Sequence, residues 1–373
     1  MSFDTVDLLT GDVFQITRDL GRRCNYDCSY CPTHRHDNFS SHATLDELKS
    51  SVDFVFEYID TYMQHRTYKE ANISFTGGEP TVNPNFIAFV KYLKEQYELK
   101  YKDKWICGFS LTSNGAMSSK MAQSIIDNLY YITVSYHAES SVKLKQQVKD
   151  RILQFHNAGF NMNCNVMFHA QHFDECKELC SWLKNLGVDF TPRIIGEEPD
   201  SAKTFAHVYT EEQINWMKTY WGLKVPNKNK VDSKEKQLGN SIGRPCCGGR
   251  KMCLSSGTNR RTDKFVDFRE FKGWSCSVNW FFLHLEQQTD QIFHHQTCQA
   301  KFDGTRGAIG KISEGYKVVK ELKHKLETQT MPTIICPKHT CGCGLCAPKS
   351  KYQEKYLETT KRHLQLALKI LKE

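Results

Sequence analysis

Six apolar, strand-like runs alternate with amphipathic, helix-like runs over the first half of the chain. The strand-like runs lie at 13–17, 72–76, 106–112, 131–137, 162–169 and 190–195. Between the first two, apolar residues at helical spacing over 45–62 predict a helix that begins at a capping box of Thr44 and Glu47. Strands that alternate with helices favour a parallel sheet joined by crossover helices. The sequence therefore predicts an α/β fold.

The predicted strands carry polar residues on one face and apolar residues on the other. In the second strand, Ser74 and Thr76 alternate with Ile73 and Phe75. A closed eight-stranded barrel fills its centre with branched apolar side chains, and six units are too few to close one. We therefore expect an open, partial (β/α)6 TIM-like barrel whose polar interior can take a polar ligand.

The regular pattern ends near residue 197, and the rest of the chain is organised differently. The sequence divides into a partial barrel at 1–196, a linker or insertion with one helix at 197–243, a cysteine-rich module at 244–350 and a C-terminal helix at 351–373. Nine cysteines occur from Cys246 to Cys346. This density favours metal or cluster ligation.

Composition limits the classes of protein that fit. The chain has no run of about 18 apolar residues, and its start lacks the basic and apolar regions of a signal peptide. We therefore expect a cytoplasmic protein with no membrane partner. In a reducing compartment, 16 cysteines indicate metal or cluster ligation rather than disulfides. The basic stretch 224–264, in a chain of net charge +8, is either a solvated surface or a nucleic-acid contact.

Three closely spaced cysteines, Cys24, Cys28 and Cys31, directly follow the first predicted strand. Three thiolates can hold three corners of a cubic iron–sulfur cluster and leave its fourth iron open to a small molecule. The alternatives are a zinc site and incidental thiols. Structural zinc needs four protein ligands, one more than these cysteines supply.

With an aromatic residue, Tyr30, before the last cysteine, the C-x3-C-x2-C spacing resembles that of the radical S-adenosylmethionine (radical SAM) superfamily. The segment Gly77–Pro80 after the second strand resembles that family's GGEP motif, and the resemblance spans roughly residues 13–196. It implies a [4Fe-4S] cluster on the three cysteines, S-adenosylmethionine (AdoMet) bound at its open iron, and an external flavodoxin- or ferredoxin-like reductant. The cofactor would then yield a 5′-deoxyadenosyl radical that removes hydrogen from a substrate.

The resemblance also implies contacts with the cofactor. Gly77, Gly78 and Glu79 would bind the amino group of AdoMet, with Glu79 adding a negative field. Further implied contacts are Tyr30 near the adenine, Ser113 and Asn114 after the third strand, and Ser135 at the ribose. For Ser135, a plain hydroxyl in the barrel interior is the alternative.

The C-terminal cysteines resemble the auxiliary-cluster modules called twitch and SPASM. The resemblance implies a second iron–sulfur cluster, expected to be [4Fe-4S], with ligands Cys276, Cys298, Cys343 and Cys346; Cys336 and Cys341 are alternative ligands. Runs at 280–285 and 291–295 predict the hairpin of such a module, and 310–315 resembles its next segment. Phe293 stands where the family usually has glycine, and a zinc knuckle is the alternative. No role is assigned to Cys246, Cys247 and Cys253.

Four residues near the carboxyl ends of the later strands are candidates for substrate binding: His137, Asn165, His169 and Arg193. We predict an enzyme that abstracts hydrogen from a small metabolite or a peptide, assisted by the auxiliary cluster. A small substrate is expected, because no folded recognition domain precedes the first strand. RNA modification by the same chemistry is one alternative, and a zinc-dependent structural or binding protein is another.

Overall fold

The computed structural model describes residues 13–32, 35–65, 69–195, 208–221, 275–276, 278–295, 301–302, 305–332, 334–335 and 349–350. The strands are β1 (Phe14–Asp19), β2 (Glu70–Thr76), β3 (Ile106–Ser113), β4 (Tyr131–His137), β5 (Met162–Phe168), β6 (Phe190–Ile194), β7 (Ser275–Cys276), β8 (Phe282–Glu286), β9 (Gln291–Phe293), β10 (Gly310–Lys311), β11 (Ile334–Ile335) and β12 (Lys349–Ser350). The helices are α1 (Leu45–Lys49), α2 (Val52–Met63), α3 (Phe86–Lys100), α4 (Ser119–Asn128), α5 (Val142–Asn157), α6 (Phe173–Leu186), α7 (Glu211–Trp221), α8 (Val278–Phe281) and α9 (Gly315–Glu327).

Nine of these strands form one sheet in the order β10-β9-β8-β1-β2-β3-β4-β5-β6. Each pair of adjacent strands in the part β8-β1-β2-β3-β4-β5-β6 is parallel. The β9 strand is antiparallel to β8, and β10 is antiparallel to β9. All six predicted strands are therefore present, in an α/β fold with a mainly parallel sheet. Parallel strands end at the same edge, so the loops that follow β1 to β6 meet there.

The two faces of the sheet have different surroundings, as the alternation of residues predicts. Phe14 packs against Tyr62 of α2, with ring centroids 4.9 Å apart, and Phe75 packs against Phe86 of α3 at 5.5 Å. On the other face, Nδ2 of Asn72 donates hydrogen bonds to Gln15 on one neighbouring strand and to Ser110 on the other. The apolar face meets the helices, and the polar face lines the interior.

The helix predicted over 45–62 is two helices. The capping box is present, since Thr44 Oγ1 accepts from the backbone N–H of Glu47 and the Glu47 carboxylate accepts from that of Thr44. The chain then turns at Ser50 and Ser51, whose hydroxyls donate to backbone carbonyls three residues earlier. Such local hydrogen bonds compete with helix propagation, which explains the break that periodicity alone did not reveal.

The predicted C-terminal hairpin is present but begins later than expected. β8 and β9 pair antiparallel with Leu285 opposite Ile292, while Trp280, predicted to lie in a strand, is in the short helix α8. β8 also pairs in parallel with β1, with Thr17 opposite His284 and Asp19 opposite Glu286. The hairpin therefore extends the wall of the partial barrel beyond β1.

A second, three-stranded sheet has the order β11-β7-β12. In it, Cys276 of β7 pairs with Ile334 on one side and with Lys349 on the other. The other expected auxiliary ligands Cys298, Cys336, Cys341, Cys343 and Cys346, together with Cys246, Cys247 and Cys253, lie outside the described residues. Among the helices that the structure describes, none is long and apolar enough to cross a membrane.

Candidate active site

The three cysteines of the predicted cluster site share one loop after β1. Cys28 is buried, Cys24 and Cys31 are partly buried, and all three are free thiols. A turn in which the Cys31 N–H donates to the carbonyl of Cys28 brings these two close together. Burial raises the pKa of Cys28 and that of Cys31, the latter to about 11, and the charges of neighbouring cysteines raise both further.

The donor set of this loop fits an iron–sulfur cluster. Thiols with raised pKa values are neutral at pH 7, so a positively charged group is needed to hold them as thiolates. Among the described residues, no three His, Cys, Asp or Glu side chains converge on a single metal ion. A cubic cluster does not require such convergence, because each thiolate binds a different iron.

Glu139, which follows β4, holds the middle of the cysteine loop. Its Oε1 accepts a hydrogen bond from the backbone N–H of Ser29 at 2.8 Å, and its Oε2 accepts from the Ser29 hydroxyl at 2.6 Å. Nε2 of His169, after β5, lies 3.6 Å from the same Oε2. One carboxylate thus fixes the residue between Cys28 and Tyr30 to the ends of two strands.

His137, the last residue of β4, contacts the same loop from its other side. Its Nδ1 lies 2.5 Å from the Tyr30 hydroxyl and 3.3 Å from the sulfur of Cys28, and its ring stacks on that of Tyr30. Burial lowers the pKa of His137 to about 4, so the ring is neutral at pH 7. Two predicted substrate residues, His137 and His169, are therefore neighbours of the cysteine loop.

The glycines at 77 and 78 let the loop after β2 press against the segment that leads to the cysteines. The N–H of Gly78 donates to the carbonyl of Gly21, and the N–H of Glu79 donates to that of Arg23. A Cβ at position 78 would lie 2.2 Å from the Arg22 carbonyl oxygen, and Gly77 has φ +142°. Any larger residue would force the two backbones apart.

The Glu79 carboxylate is buried and accepts four hydrogen bonds from this chain. Oε1 accepts from the N–H and hydroxyl of Thr81 and from the hydroxyl of Ser113, while Oε2 accepts from the N–H of Asn114 at 2.6 Å. Burial raises the pKa of Glu79, and the hydrogen bonds oppose that shift. Glu79 therefore joins the loop after β2 to the loop after β3.

Asn114 extends this connection to the cysteine loop. Its Nδ2 donates to Oδ1 of Asn25 at 2.7 Å and lies 3.9 Å from the sulfur of Cys24. Asn25 in turn donates to the carbonyl of Ala116. The predicted cofactor residues Gly77, Gly78, Glu79, Ser113 and Asn114 thus lie together beside Cys24, and Tyr30 lies in the same cysteine loop.

The remaining candidates line the interior on β4, β5 and β6. Ser135 pairs with Asn165, and Oδ1 of Asn165 accepts a hydrogen bond from Nε of Arg193 at 3.2 Å. The structure thus brings Asn165 and Arg193 together beside Ser135. All three are partly buried.

Three residues of the site were missed by the sequence analysis: Asn25, Ser29 and Glu139. Asn25 and Ser29 sit between the cysteines, where polar residues are also expected in any loop. Glu139 had a usable signal, because a carboxylate just after a barrel strand lies at the edge where such sites form.

We expect Glu139→Gln to weaken the attachment of the cysteine loop. Gln keeps an acceptor for the Ser29 N–H and can donate its amide to the Ser29 hydroxyl, but it loses the negative charge that strengthens both bonds, so the unfolding free energy should fall by about 1 kcal/mol. Urea unfolding measures this loss, and iron per chain after reconstitution measures its effect on the site. The control is Asp174→Asn, because Asp174 pairs only with Lys177 on the surface of α6 among the contacts described. Its unfolding free energy and its iron content should equal those of the wild type.

The fold and site together define a class of protein: a parallel α/β domain whose edge carries a three-cysteine loop against a glycine-rich loop. Residues 19–196 match the family described as the radical SAM superfamily. The match covers just under half of the chain, and this part of the chain is therefore similar to radical SAM domains.

Solved structures of anSMEcpe share this fold at low sequence identity. Native anSMEcpe with bound AdoMet and Cp18Cys peptide is 11% identical, with a TM-score of 0.51, over 86% of this chain and 84% of that one. The form with the Kp18Cys peptide is 12% identical, with a TM-score of 0.50, over 95% of this chain and 98% of that one. Streptococcus suis SuiB is 11% identical, with a TM-score of 0.45, over 76% of this chain. The matched part spans only 60% of the length of SuiB. No curated protein matches the sequence.

Proposed function

We propose that the chain cleaves AdoMet reductively at a [4Fe-4S] cluster held by Cys24, Cys28 and Cys31. When bound, the cluster and AdoMet supply a 5′-deoxyadenosyl radical, which takes a hydrogen atom from the substrate. The observation that supports this most is the meeting of three loops. The cysteine loop, the loop at 77–80 and the loop at 113–115 are joined by hydrogen bonds through Glu79 and Asn114.

The residues of the chain position these groups. Because the Glu79 carboxylate already accepts four hydrogen bonds from Thr81, Ser113 and Asn114, the amino group of AdoMet is proposed to meet the backbone at 77–79. Because the Tyr30 hydroxyl is bonded to His137 and one face of its ring stacks on that histidine, the opposite ring face is what remains for the adenine. Ser135 is proposed to contact the ribose from the interior of β4.

Anaerobic reconstitution with iron and sulfide, followed by a one-electron reductant and AdoMet, tests this function. We expect about four irons in the cluster of the barrel and formation of 5′-deoxyadenosine, measured by mass spectrometry. A protein that takes up zinc but no iron, or that holds the cluster without ever cleaving AdoMet, would contradict the proposal.

The substrate is proposed to be a small molecule that enters the polar interior near Asn165 and Arg193. A peptide is the second candidate, because anSMEcpe, which shares this fold, was solved with a bound peptide. Deuterium exchange into 5′-deoxyadenosine separates the two when metabolites and peptides are supplied in parallel. Transfer that occurs only with peptides, and that survives substitution of both interior residues, would rule out the small substrate.

An auxiliary cluster is proposed for the C-terminal half. Its support is the pairing of Cys276 with Ile334 and Lys349, because Cys336 and Cys346 lie only two and three residues from those positions in the sequence. Cys276→Ala with Cys298→Ala should lower iron from about eight to about four per chain while AdoMet cleavage persists. A wild type that binds only four irons would refute the second cluster.

A further inference from the structure

The hairpin strand β8 contributes a histidine to the interior face of the sheet. In β1, Phe14 points to the helices, and Gln15 accepts a hydrogen bond from Asn72 in the interior. β8 runs parallel to β1, with Gln15 opposite Phe282 and Thr17 opposite His284. Since directly paired residues of a sheet share a face, Phe282 and His284 belong to the interior, and Leu283 and Leu285 to the core beneath the helices.

His284 is buried without hydrogen bonds. It is 2% exposed, and neither ring nitrogen has a hydrogen-bond partner in the described part of the chain. Buried polar atoms are nearly always bonded, and one without a partner costs about 1–3 kcal/mol. Burial lowers the pKa of His284 to about 3, so the ring is neutral and offers one N–H donor and one acceptor nitrogen. A group that both donates and accepts would satisfy it.

The surroundings of His284 are aromatic on the side of β9, and the charge of Arg35 acts on its ring. Phe293 pairs with it from β9, with ring centroids 6.2 Å apart, and the Phe282 ring lies 5.2 Å from that of His295. The charge of Arg35 acts on both the His284 imidazole and the Cys31 thiol. His284 therefore lies on an apolar wall within electrostatic reach of a residue that also acts on the cluster site.

We propose that His284 binds substrate by hydrogen-bonding a neutral amide or hydroxyl group, while Phe282 and Phe293 pack against the apolar body that carries this group. The inference rests on the proposed function and assigns the substrate a second wall of the interior. That wall stands on the opposite side of β1 from Asn165 and Arg193. The substrate class it selects is uncharged at this end and partly apolar.

His294 provides a matched control. It is also fully buried, with both ring nitrogens unpartnered within the described residues, and burial lowers its pKa to about 3 as well. It directly follows Phe293, and its ring packs at 4.7 Å on Phe302, a residue of the apolar core. His294 therefore has the burial of His284 without the position on the interior wall.

The experiment compares His284→Leu with His294→Leu in the reconstituted full-length protein with AdoMet, using N-acetyl-phenylalaninamide as the probe in calorimetry. We expect His284→Leu to weaken probe binding about tenfold or more, and His284→Gln, which keeps a donor and an acceptor, to restore most of it. His294→Leu should leave the affinity unchanged. Ethylbenzene, which lacks the amide, should bind the wild type and His284→Leu alike.

Stability separates a binding role from a structural one. Removing an unpartnered polar group should leave the melting temperature of His284→Leu equal to or above that of the wild type, so weaker binding would not reflect unfolding. Equal affinity of wild type and His284→Leu, or no binding of the amide by the wild type, would overturn the proposal. AdoMet cleavage by the wild type is measured separately, without the probe. If the wild type does not cleave AdoMet, the proposed function is wrong, whereas a failure of probe binding alone concerns only the role of His284.

Discussion

Replacing Cys24, Cys28 and Cys31 together by Ala is expected to remove the cluster of about four irons and all AdoMet cleavage, because these thiols are the protein ligands proposed for it. Iron analysis and 5′-deoxyadenosine measurement check the two losses. The chain offers a matched control in Cys164, Cys176 and Cys180, three buried free thiols packed in the apolar core.

Changing the control cysteines to Ala should cost stability, by about 1 kcal/mol for each small cavity, but should leave both iron content and cleavage intact. This comparison separates the position of the cysteines from their number. If the variant with Ala at positions 24, 28 and 31 cleaved AdoMet at the wild-type rate, the central proposal would be refuted, whatever the result for the control variant.

Glu79→Gln is expected to destabilise the protein and weaken AdoMet binding together. Every group around the Glu79 carboxylate is a donor, so the new amide nitrogen must face either the Asn114 N–H or the three donors of Thr81 and Ser113. At least one buried donor loses its partner, at about 1–3 kcal/mol. Urea unfolding and an AdoMet titration measure the two effects.

Glu47→Gln is the control for this change, because Glu47 is exposed and its capping bond to the Thr44 N–H survives in Gln. It should leave AdoMet affinity unaltered. If Glu79→Gln matched the wild type in both unfolding and AdoMet affinity, Glu79 would not hold the two loops in the way the hydrogen bonds indicate.

The parts of the fold that sequence predicted well are those governed by local chemistry. Alternating residues such as Ile73 and Ser74 place a strand and its two faces, and Thr44 with Glu47 places a helix start. The cysteine and GGEP motifs indicated the candidate site for the same reason, since each is a short segment. Local signals were weaker where α1 gives way to α2 and at Trp280, where a helical turn precedes β8.

The connections between segments could not be predicted, because they depend on tertiary contacts. Nothing near Ser29 indicates that a carboxylate 110 positions away would bind it, and nothing near Glu79 indicates that Ser113 and Asn114 would donate to it. Likewise, no local pattern showed that β8 would pair with β1. His284 became informative only once that pairing placed it on the interior face.

The pairing of β8 with β1 also has a consequence for how the protein is made. Until the hairpin has been synthesised, β1 is an edge strand with unbonded N–H and carbonyl groups, and such edges recruit other chains. A fragment ending near residue 196 would keep that edge permanently, although it contains every residue of the cluster loop. Contacts between distant parts of a chain form slowly, so completion of the sheet must wait for the C-terminal half. The three-cysteine loop is therefore encoded early in the sequence, but the sheet that supports it is finished late in biosynthesis.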